Sequence, residues 1–345
     1  MTRVGIVGYG MAGRDIHRGP LQRAGCEIVA VVTANPERAA QARADLPGVA
    51  VHASVAEMLG AGGLDLVVIA SSTAAHVDNA WAVVEAKIPV VVDKPLALNA
   101  EDAVDLVDRA LHENVPLTVF QNRRYDPEFT TLAHVVRSGV LGEAFRFEHR
   151  WERWRPQPKD RWREQLTSDE GGGLLLDLHS HLVDAAVQLF GEVESVMATM
   201  ASRSTVADDD TFLLCRHTSG VLSHLSTTSL AGAPGPRVRL LGTQAAFIVA
   251  TIAPEAATFP DQADAPGATG WLYRGDEREP VPTVPSDQAD FYTAVREALA
   301  SPDPQAAMPV DPFDAVHVMA VLDAARISVR GERVVDVITP GRRPD

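Results

Sequence analysis

The chain has 345 residues, a formal net charge of −15 at pH 7 and a hydrophobic fraction of 46%. A single α/β core usually stops growing at roughly 250 to 300 residues, so this length predicts two domains. The negative charge argues against a nucleic-acid partner, and no apolar stretch approaches the ~20 residues that span a bilayer, which excludes a membrane-inserted class.

The N-terminal sequence MTRVGIVGYG runs directly into a predicted strand. It lacks the charged, apolar and small-residue regions of a secretion signal, so we expect a cytoplasmic protein. The two cysteines, Cys26 and Cys215, lie far apart in the chain and form no C-x-x-C pair. We interpret both as buried thiols and not as a redox or zinc site.

Short apolar runs alternate with amphipathic helical patterns from residue 2 to about residue 120. This alternation is typical of βαβ units and predicts a doubly wound parallel sheet of the dinucleotide-binding type, which we place at residues 1–121. The predicted strands are Arg3–Gly8, Glu27–Thr33, Val49–His52, Leu64–Ala70, Val90–Asp93 and Leu117–Phe120.

A glycine-rich turn follows the first predicted strand and begins a helix. It reads Gly8-Tyr9-Gly10-Met11-Ala12-Gly13 and matches G-x-G-x-x-G. In such a turn the backbone amides and the helix dipole face a pyrophosphate, so we predict cofactor contacts from Gly8, Gly10, Met11, Ala12 and Gly13. The alternative is a tight turn without a ligand.

The end of the second predicted strand bears on the choice of cofactor. NAD-specific sites usually carry an acid there for the ribose hydroxyls, but this chain reads Val31-Val32-Thr33-Ala34-Asn35. With Thr33 and Arg38 nearby as donors for a 2′-phosphate, the sequence favours NADP(H) over NAD(H). The alternative is that Arg38 is an ordinary solvated helix residue and that both cofactors bind.

The pattern changes after residue 120, and we assign residues 122–345 to a second domain. A helix is predicted at 127–138, and longer alternating runs near 143–154, 192–203, 210–217, 221–229, 236–243 and 245–251 predict a mostly antiparallel sheet. The weakly patterned stretch from Ala253 to Pro285 is predicted to form surface excursions. Two helices, at 288–300 and 312–330, and a short apolar run at 334–338 complete the chain.

Three residues carry the candidate chemistry. Lys94 follows the strand Val90–Asp93, at the sheet edge where ligands bind in α/β folds. Asp177 and His181 share a face at i, i+4 if their segment is helical, a spacing that suits a carboxylate and imidazole pair. In such a pair the acid orients the imidazole, which exchanges a proton with a substrate hydroxyl.

Several motifs together carry a family resemblance: GYGMAG at 8–13, DKP at 93–95, Trp162-Arg163, GGG at 171–173 and the D-x-x-x-H of Asp177 and His181. Over nearly its whole length the chain resembles the Gfo/Idh/MocA oxidoreductases. Within that family QNRRYD at 121–126, RWRP at 153–156 and RWRE at 161–164 resemble the NADP-dependent scyllo-inositol dehydrogenase branch.

The resemblance implies a Rossmann domain followed by an α+β domain with a large open antiparallel sheet, and hydride transfer at a secondary alcohol or hemiacetal carbon of a polyol or sugar. Lys94, Asp177 and His181 would meet in the cleft between the domains. Lys94 would polarise the reacting oxygen, His181 would be the general acid/base, and Asp177 would bind substrate hydroxyls and orient His181.

The resemblance also implies further contacts and an assembly. Additional cofactor-binding residues would be Ser71, His76, Lys94, Asn122, Trp162 and Arg163, and additional substrate-binding residues would be Arg123, Tyr125 and His179. His179 stands where the family commonly has glycine, so we expect its side chain to enter the pocket. A homodimer or homotetramer would form through the sheet of the second domain.

Other functions remain open at this stage. The chain could be a cofactor-binding regulatory protein that has lost catalysis, or it could perform redox-neutral sugar chemistry with a retained nicotinamide. Asp177 and His181 could form a structural ion pair, or they could bind a metal together with His179. Lys94 could be an ordinary surface lysine at a strand end.

Overall fold

The computed structural model describes residues 1–251 and 263–341, and its first sheet contains six parallel strands in the order β3-β2-β1-β4-β5-β6. The strands are β1 (Arg3–Val7), β2 (Glu27–Val32), β3 (Ala50–His52), β4 (Leu66–Ile69), β5 (Val90–Asp93) and β6 (Leu117–Phe120). The central strands are almost entirely buried, as expected when helices cover both faces of a parallel sheet. The predicted doubly wound fold is confirmed.

Ten α-helices connect and cover the strands of the described residues. They are α1 (Arg18–Arg23), α2 (Pro36–Asp45), α3 (Val55–Ala61), α4 (His76–Glu85), α5 (Ala100–His112), α6 (Pro127–Arg137), α7 (Trp162–Gln165), α8 (Ser180–Phe190), α9 (Ala289–Leu299) and α10 (Pro312–Gly331). Two helices are preceded by a π-helical segment: Ala12–His17 leads into α1, and Leu175–His179 leads into α8. Such segments are rare and occur often at functional sites.

The second sheet has nine strands in the order β14-β13-β12-β11-β7-β10-β9-β8-β15. The strands are β7 (Ala144–Glu152), β8 (Val193–Ala201), β9 (Asp210–His217), β10 (Leu222–Thr228), β11 (Val238–Gly242), β12 (Ala246–Val249), β13 (Ala268–Arg274), β14 (Glu277–Pro282) and β15 (Val335–Asp336). All neighbours pair antiparallel except β7 and β10. The predicted open, mostly antiparallel sheet is confirmed.

One sequence prediction fails in this sheet. The stretch from Ala253 to Pro285 is predicted to form surface excursions, yet β13 and β14 within it form a hairpin at the sheet edge. Pro280 and Pro282 lie in β14, and an edge strand tolerates proline because one side of it needs no ladder hydrogen bonds. Residues 253–262 of that stretch lie outside the described residues.

The described chain divides into two compact units. The first comprises residues 1–122, 287–316 and 340–341, and the second comprises 123–251, 263–286 and 317–339. The sequence assigned everything after residue 121 to the second domain, whereas α9 packs in the first unit. There Phe291 and Tyr292 bury their rings against Phe120 at the end of β6, with ring centroids 4.9 and 5.2 Å from it.

Both cysteines, Cys26 and Cys215, are buried free thiols. Among the described residues, no helix is long and apolar enough to cross a membrane.

Gly8 shows how closely the strand ends approach one another. Its φ is +96°, and a Cβ at this position would lie 2.6 Å from the carbonyl oxygen of Ala70, just after β4. Only glycine adopts this conformation without strain, and the space allows no side chain. Gly60 in α3 is a contrasting case, since a Cβ there would meet nothing within 4 Å.

We therefore predict that Gly8→Ala lowers the free energy of unfolding by about 2 kcal/mol or more, because the strand ends must separate. Gly60→Ala is the matched control and should be neutral or stabilising by up to about 1 kcal/mol, since alanine favours a helix interior. Urea denaturation of both variants measures the difference. Equal stabilities of the two variants would contradict this account of the turn.

Candidate active site

The predicted cofactor residues of the first unit follow the carboxyl ends of its parallel strands. Gly8 follows β1, Thr33 follows β2, Ser71 lies two residues after β4, Lys94 follows β5, and Asn122 lies two residues after β6. The carboxyl ends of parallel strands lie at one edge of the sheet, and ligands of open α/β sheets bind outside that edge. The structure therefore brings these five residues to the edge predicted from sequence.

The side chain of Arg38 lies beside the glycine turn. Its Cζ and Nη1 atoms are each 3.6 Å from the point where a Cβ of Gly10 would lie. The Asn35 side chain caps α2 by accepting a hydrogen bond from the Arg38 N–H at 3.0 Å, and the Thr33 hydroxyl accepts one from the Asn35 N–H at 3.3 Å. A planar guanidinium at this position suits a phosphate group. Met11, in the same turn, is 54% exposed.

The largely buried side chain of Asp93 and the fully buried side chain of His76 fix the backbone around Lys94. Asp93 Oδ1 accepts the Lys94 N–H at 2.8 Å, and the His76 ring lies between two loops, with Nδ1 2.8 Å from Pro95 O and Nε2 3.3 Å from Ser71 O. Burial lowers the pKa of His76, so the neutral ring donates to one carbonyl, and the shorter distance assigns that proton to Nδ1. His76 is 1% exposed and joins the loops that follow β4 and β5.

A buried histidine and a buried tyrosine lie next to the carboxylate of Asp93. Its Oδ2 lies 3.6 Å from His17 Nε2, and His17 Nδ1 lies 2.5 Å from the hydroxyl oxygen of Tyr292. Burial would raise the pKa of Asp93, but the nearby His17 ring and the charge of Lys94 outweigh burial and lower it. The carboxylate therefore stays ionised next to the Lys94 backbone.

In the second unit, a glycine and an aspartate begin the segment that carries Asp177 and His181. Gly173 has φ +87°, and a Cβ there would lie 2.0 Å from Asp208 Oδ1. The other oxygen of Asp208 accepts the Leu175 N–H at 2.7 Å. A buried carboxylate thus satisfies an amide at the start of the π-helical segment, which continues into α8.

Asp177 lies in a cleft that is rich in arginine. Its Oδ1 is 3.2 Å from Arg163 Nε, and the Arg163 guanidinium stacks on Trp162, 4.3 Å from the ring centroid. Arg163, stacked on Trp162, therefore positions Asp177, and the cofactor contact expected of these two residues stays a prediction. The charged residues lining this cleft, named here the arginine cleft, are Arg153, Arg155, Lys159, Arg161, Glu164 and Asp177.

His181 lies in a second cleft of the same unit. It is 7% exposed, and its ring centroid is 5.8 Å from that of Trp151. Three guanidinium groups surround the same indole, at 4.9, 5.0 and 4.4 Å from its centroid, from Arg123, Arg153 and Arg237. The 3-10 turn Asn122–Tyr125 contributes Arg123 and Arg124 to this cleft.

Comparisons with known protein families give one match for each of the two sheets. Residues 2–121 match the family described as "Oxidoreductase family, NAD-binding Rossmann fold", and residues 129–248 match "GFO/IDH/MocA C-terminal domain". The chain belongs to the Gfo/Idh/MocA oxidoreductase family. As a member it is an NAD(P)-binding oxidoreductase, and the resemblance inferred from the sequence motifs is confirmed.

Individual relatives of the Gfo/Idh/MocA family align over almost the whole chain. "Uncharacterized oxidoreductase YdgJ" of Escherichia coli is 32% identical, covering 93% of this chain and 94% of the relative. "scyllo-inositol 2-dehydrogenase (NADP(+)) IolW" of Bacillus subtilis is 30% identical, covering 96% and 95%. The solved structure of the oxidoreductase yvaA from Bacillus subtilis superposes with a TM-score of 0.85 at 26% identity, covering 98% and 99%.

His179 differs from its sequence-based prediction in this Gfo/Idh/MocA chain. It was expected to enter the substrate pocket, but the side chain is fully buried and its Nε2–H donates to the Thr211 carbonyl oxygen at 3.2 Å. The π-helical turn directs this position towards β9. Burial lowers the pKa of His179 to about 3, so the ring is neutral and structural.

Sequence reasoning missed a buried ionic cluster beside His181. Arg124 donates two hydrogen bonds to Asp184, at 2.9 and 2.6 Å, and Arg237 Nε donates to Glu128 at 3.2 Å. Burial would raise the pKa of Glu128, but the positive charge of Arg237 outweighs burial and lowers it to about 2. These partners lie 60 and 109 residues apart in the chain, so no local spacing could have revealed them.

Across residues 1–251 and 263–341, no three His, Cys, Asp or Glu side chains are grouped so that they could hold a metal ion.

The lowered pKa of His179 leads to a prediction about the stability of the fold in acid. Its pKa is about 3 in the folded chain and 6.5 for an ordinary histidine, so between these values the unfolded state binds a proton that the folded state does not. The free energy of unfolding therefore decreases as the pH falls below 6.5, by about 1 kcal/mol per pH unit, because protonation of His179 favours the unfolded state.

The matching variant is His179→Gln, whose amide can donate to the Thr211 carbonyl but does not titrate. Urea denaturation at several pH values below neutrality should show a flatter loss of stability than in the parent chain. His134→Gln, an exposed position in α6, is the control and should keep the parental slope. Parallel slopes for the parent and His179→Gln would contradict the assignment.

Proposed function

We propose that this Gfo/Idh/MocA protein is a cytoplasmic enzyme that transfers a hydride between NADP(H) and a secondary alcohol or ketone of a cyclitol or sugar. The observation that carries the proposal is the common sheet edge, where Lys94 stands at the end of β5 and the glycine turn at the end of β1. The nicotinamide supplies the redox chemistry when bound, and the protein supplies position and proton handling.

The donor set at this edge fits a dinucleotide. The glycine turn offers backbone amides at a helix start, and Arg38 offers a guanidinium beside Gly10. Asn122 is 8% exposed, and within the described residues its buried Oδ1 has no hydrogen-bond partner. A buried carbonyl oxygen of this kind suits an amide donor of a ligand, since leaving it unsatisfied is costly.

Lys94 is proposed to polarise the reacting oxygen of the substrate. Asp93 and His76 fix the backbone on both sides of Lys94, so the side chain extends from a rigid position. An ammonium held at a fixed point stabilises negative charge that develops on oxygen better than a mobile one does.

His181 is proposed as the general acid/base. Its Nδ1 is buried, so we assign proton exchange with the substrate hydroxyl to Nε2. Asp177, one helical turn earlier, is proposed to bind substrate hydroxyls while Arg163 holds its carboxylate in place. The helix that carries both residues is fixed to the 3-10 turn by the Arg124–Asp184 pair.

NADP(H) is proposed as the preferred cofactor. The support is the Arg38 guanidinium beside the glycine turn and the lack of an acid between Val32 and Asn35. The relative IolW, 30% identical, is named for NADP(+) and for scyllo-inositol. A carboxylate would repel a 2′-phosphate, whereas a guanidinium binds it through charge-assisted hydrogen bonds.

The outer face of the second sheet is proposed to pack against a second copy of the chain, giving a homodimer or homotetramer. On this face Met197 and Phe212 are 44% and 38% exposed. Large apolar side chains grouped on an open sheet face favour association.

The cofactor preference is tested with Arg38→Gln. We expect this variant to bind NADP⁺ about tenfold or more weakly, because a charge-assisted contact with the 2′-phosphate is lost, and to bind NAD⁺ within about twofold of the parent. Arg43→Gln, an exposed position on the same helix, is the control and should change neither affinity. An unchanged preference in Arg38→Gln would refute the role of Arg38.

The catalytic roles are tested with Lys94→Ala and His181→Ala, assayed on inositols, inososes and aldoses while nicotinamide absorbance is followed. Each variant should lose about 100-fold or more in kcat/KM, because charge stabilisation or proton transfer is removed, while NADP⁺ affinity is largely kept. Lys87→Ala and His134→Ala, both exposed, are the controls. If Lys94→Ala and His181→Ala both kept the turnover rate of the parent chain, the proposed catalytic roles would be refuted.

A further inference from the structure

The arginine cleft carries more positive than negative charge. Its four cationic side chains face only two carboxylates, those of Glu164 and Asp177. Both carboxylates already have partners, since Arg161 lies 2.5 Å from Glu164 and Arg163 lies 3.2 Å from Asp177. The chain as a whole has a net charge of −15, so this local excess does not follow from composition.

Two of the cationic side chains in the cleft, those of Arg155 and Lys159, have no carboxylate partner among the described residues. Throughout residues 1–251 and 263–341, the side chains of Arg155 and Lys159 form no ion pair with a carboxylate. Arg155 is only partly exposed, so part of its hydration has been replaced by protein. A partly desolvated cation without a counter-charge attracts an anion more strongly than one on an open surface.

Strand geometry directs Arg155 towards the candidate active site. The chain continues past β7 alongside β10, because the Arg153 N–H donates to Thr228 O at 2.9 Å and the Arg155 N–H donates to Ser229 O at 2.7 Å. Side chains alternate along extended backbone, so Arg155 and Arg153 project from the same face as Trp151. On that face Trp151 contacts His181.

Hydroxyl groups beside the two cations complete a set of donors. The Thr228 Oγ1 accepts a hydrogen bond from the Leu230 N–H at 3.1 Å, which leaves its own proton to donate. Among the described residues, the Ser229 hydroxyl has no hydrogen-bond partner. Cations with neighbouring hydroxyl donors are the groups that bind a carboxylate or phosphate oxygen.

We propose that the arginine cleft binds an anionic substituent of the substrate, a carboxylate or a phosphate, with Arg155 and Lys159 as its charged ligands and Ser229 as a hydroxyl donor. This inference rests on the proposed function, because Asp177 lines the same cleft. The substrate class is then an acidic or phosphorylated sugar or cyclitol, whose hydroxyls face Asp177 while its anion contacts Arg155.

The experiment compares anionic sugars with their neutral parents. D-glucuronate, D-galacturonate and a hexose phosphate, each beside its neutral parent, are titrated into the protein with NADP⁺ present, and binding is followed by calorimetry and turnover by absorbance. We expect at least one anion to bind about tenfold or more tightly than its parent. Added salt should weaken the binding of that anion and leave the parent unchanged.

Variants then locate the anion site. Arg155→Gln and Lys159→Gln should each lose most of the preference for the anion and bind the neutral parent within about twofold of the original chain. Arg203→Gln is the matched control, since Arg203 is 58% exposed and lies outside the cleft lining. Circular dichroism spectra check that each variant is folded.

Three outcomes decide the inference. It is overturned if no anion in the panel binds more tightly than its neutral parent. It is also overturned if Arg155→Gln weakens NADP⁺ and leaves the anion unaffected, because the charge then serves the cofactor phosphates. It stands if the anion preference depends on Arg155, and this holds even if no sugar is turned over, an outcome that would refute the proposed function alone.

Discussion

Parallel pairing of β1 with β4, and of β4 with β5, is the constraint on which the cofactor edge depends. The register places Val7 opposite Ile69, and Ile69 opposite Val92. The residues that follow these three therefore leave the sheet at one level, so the glycine turn and the Lys94 segment emerge side by side. A shift of one strand by one residue would move Lys94 away from this level and turn its side chain to the opposite face.

The same edge depends on buried polar contacts that hold the loops after the strands end. Beyond the last ladder hydrogen bond, the side chain of His76 connects the loops that follow β4 and β5. His17 and Tyr292 support Asp93 from within the hydrophobic interior. Because a buried polar group without a partner is costly, each of these contacts narrows the positions that the Lys94 backbone can adopt.

Four histidines show how the local environment gives different roles to residues of the same type. His17, His76 and His179 are almost completely buried and hydrogen-bonded, and they serve as structural connections. His181 retains a small exposed fraction in a cleft lined by charged groups. The chemistry proposed for His181 therefore rests on its surroundings, since its residue type is shared with the other three.

The sequence by itself determined the architecture and the cofactor edge. Periodicity predicted all six parallel strands within two residues, because buried parallel strands read as continuous apolar runs, and the glycine motif follows β1 as predicted. Only the tertiary structure decided the positions of side chains whose partners lie far away in the sequence. It buried His179 against β9, placed Arg38 beside Gly10, and put Arg155 in a cleft with Asp177 where none of the described carboxylates pairs with it. These outcomes depend on residues that are far apart in the chain, and no local pattern encodes which of them become neighbours.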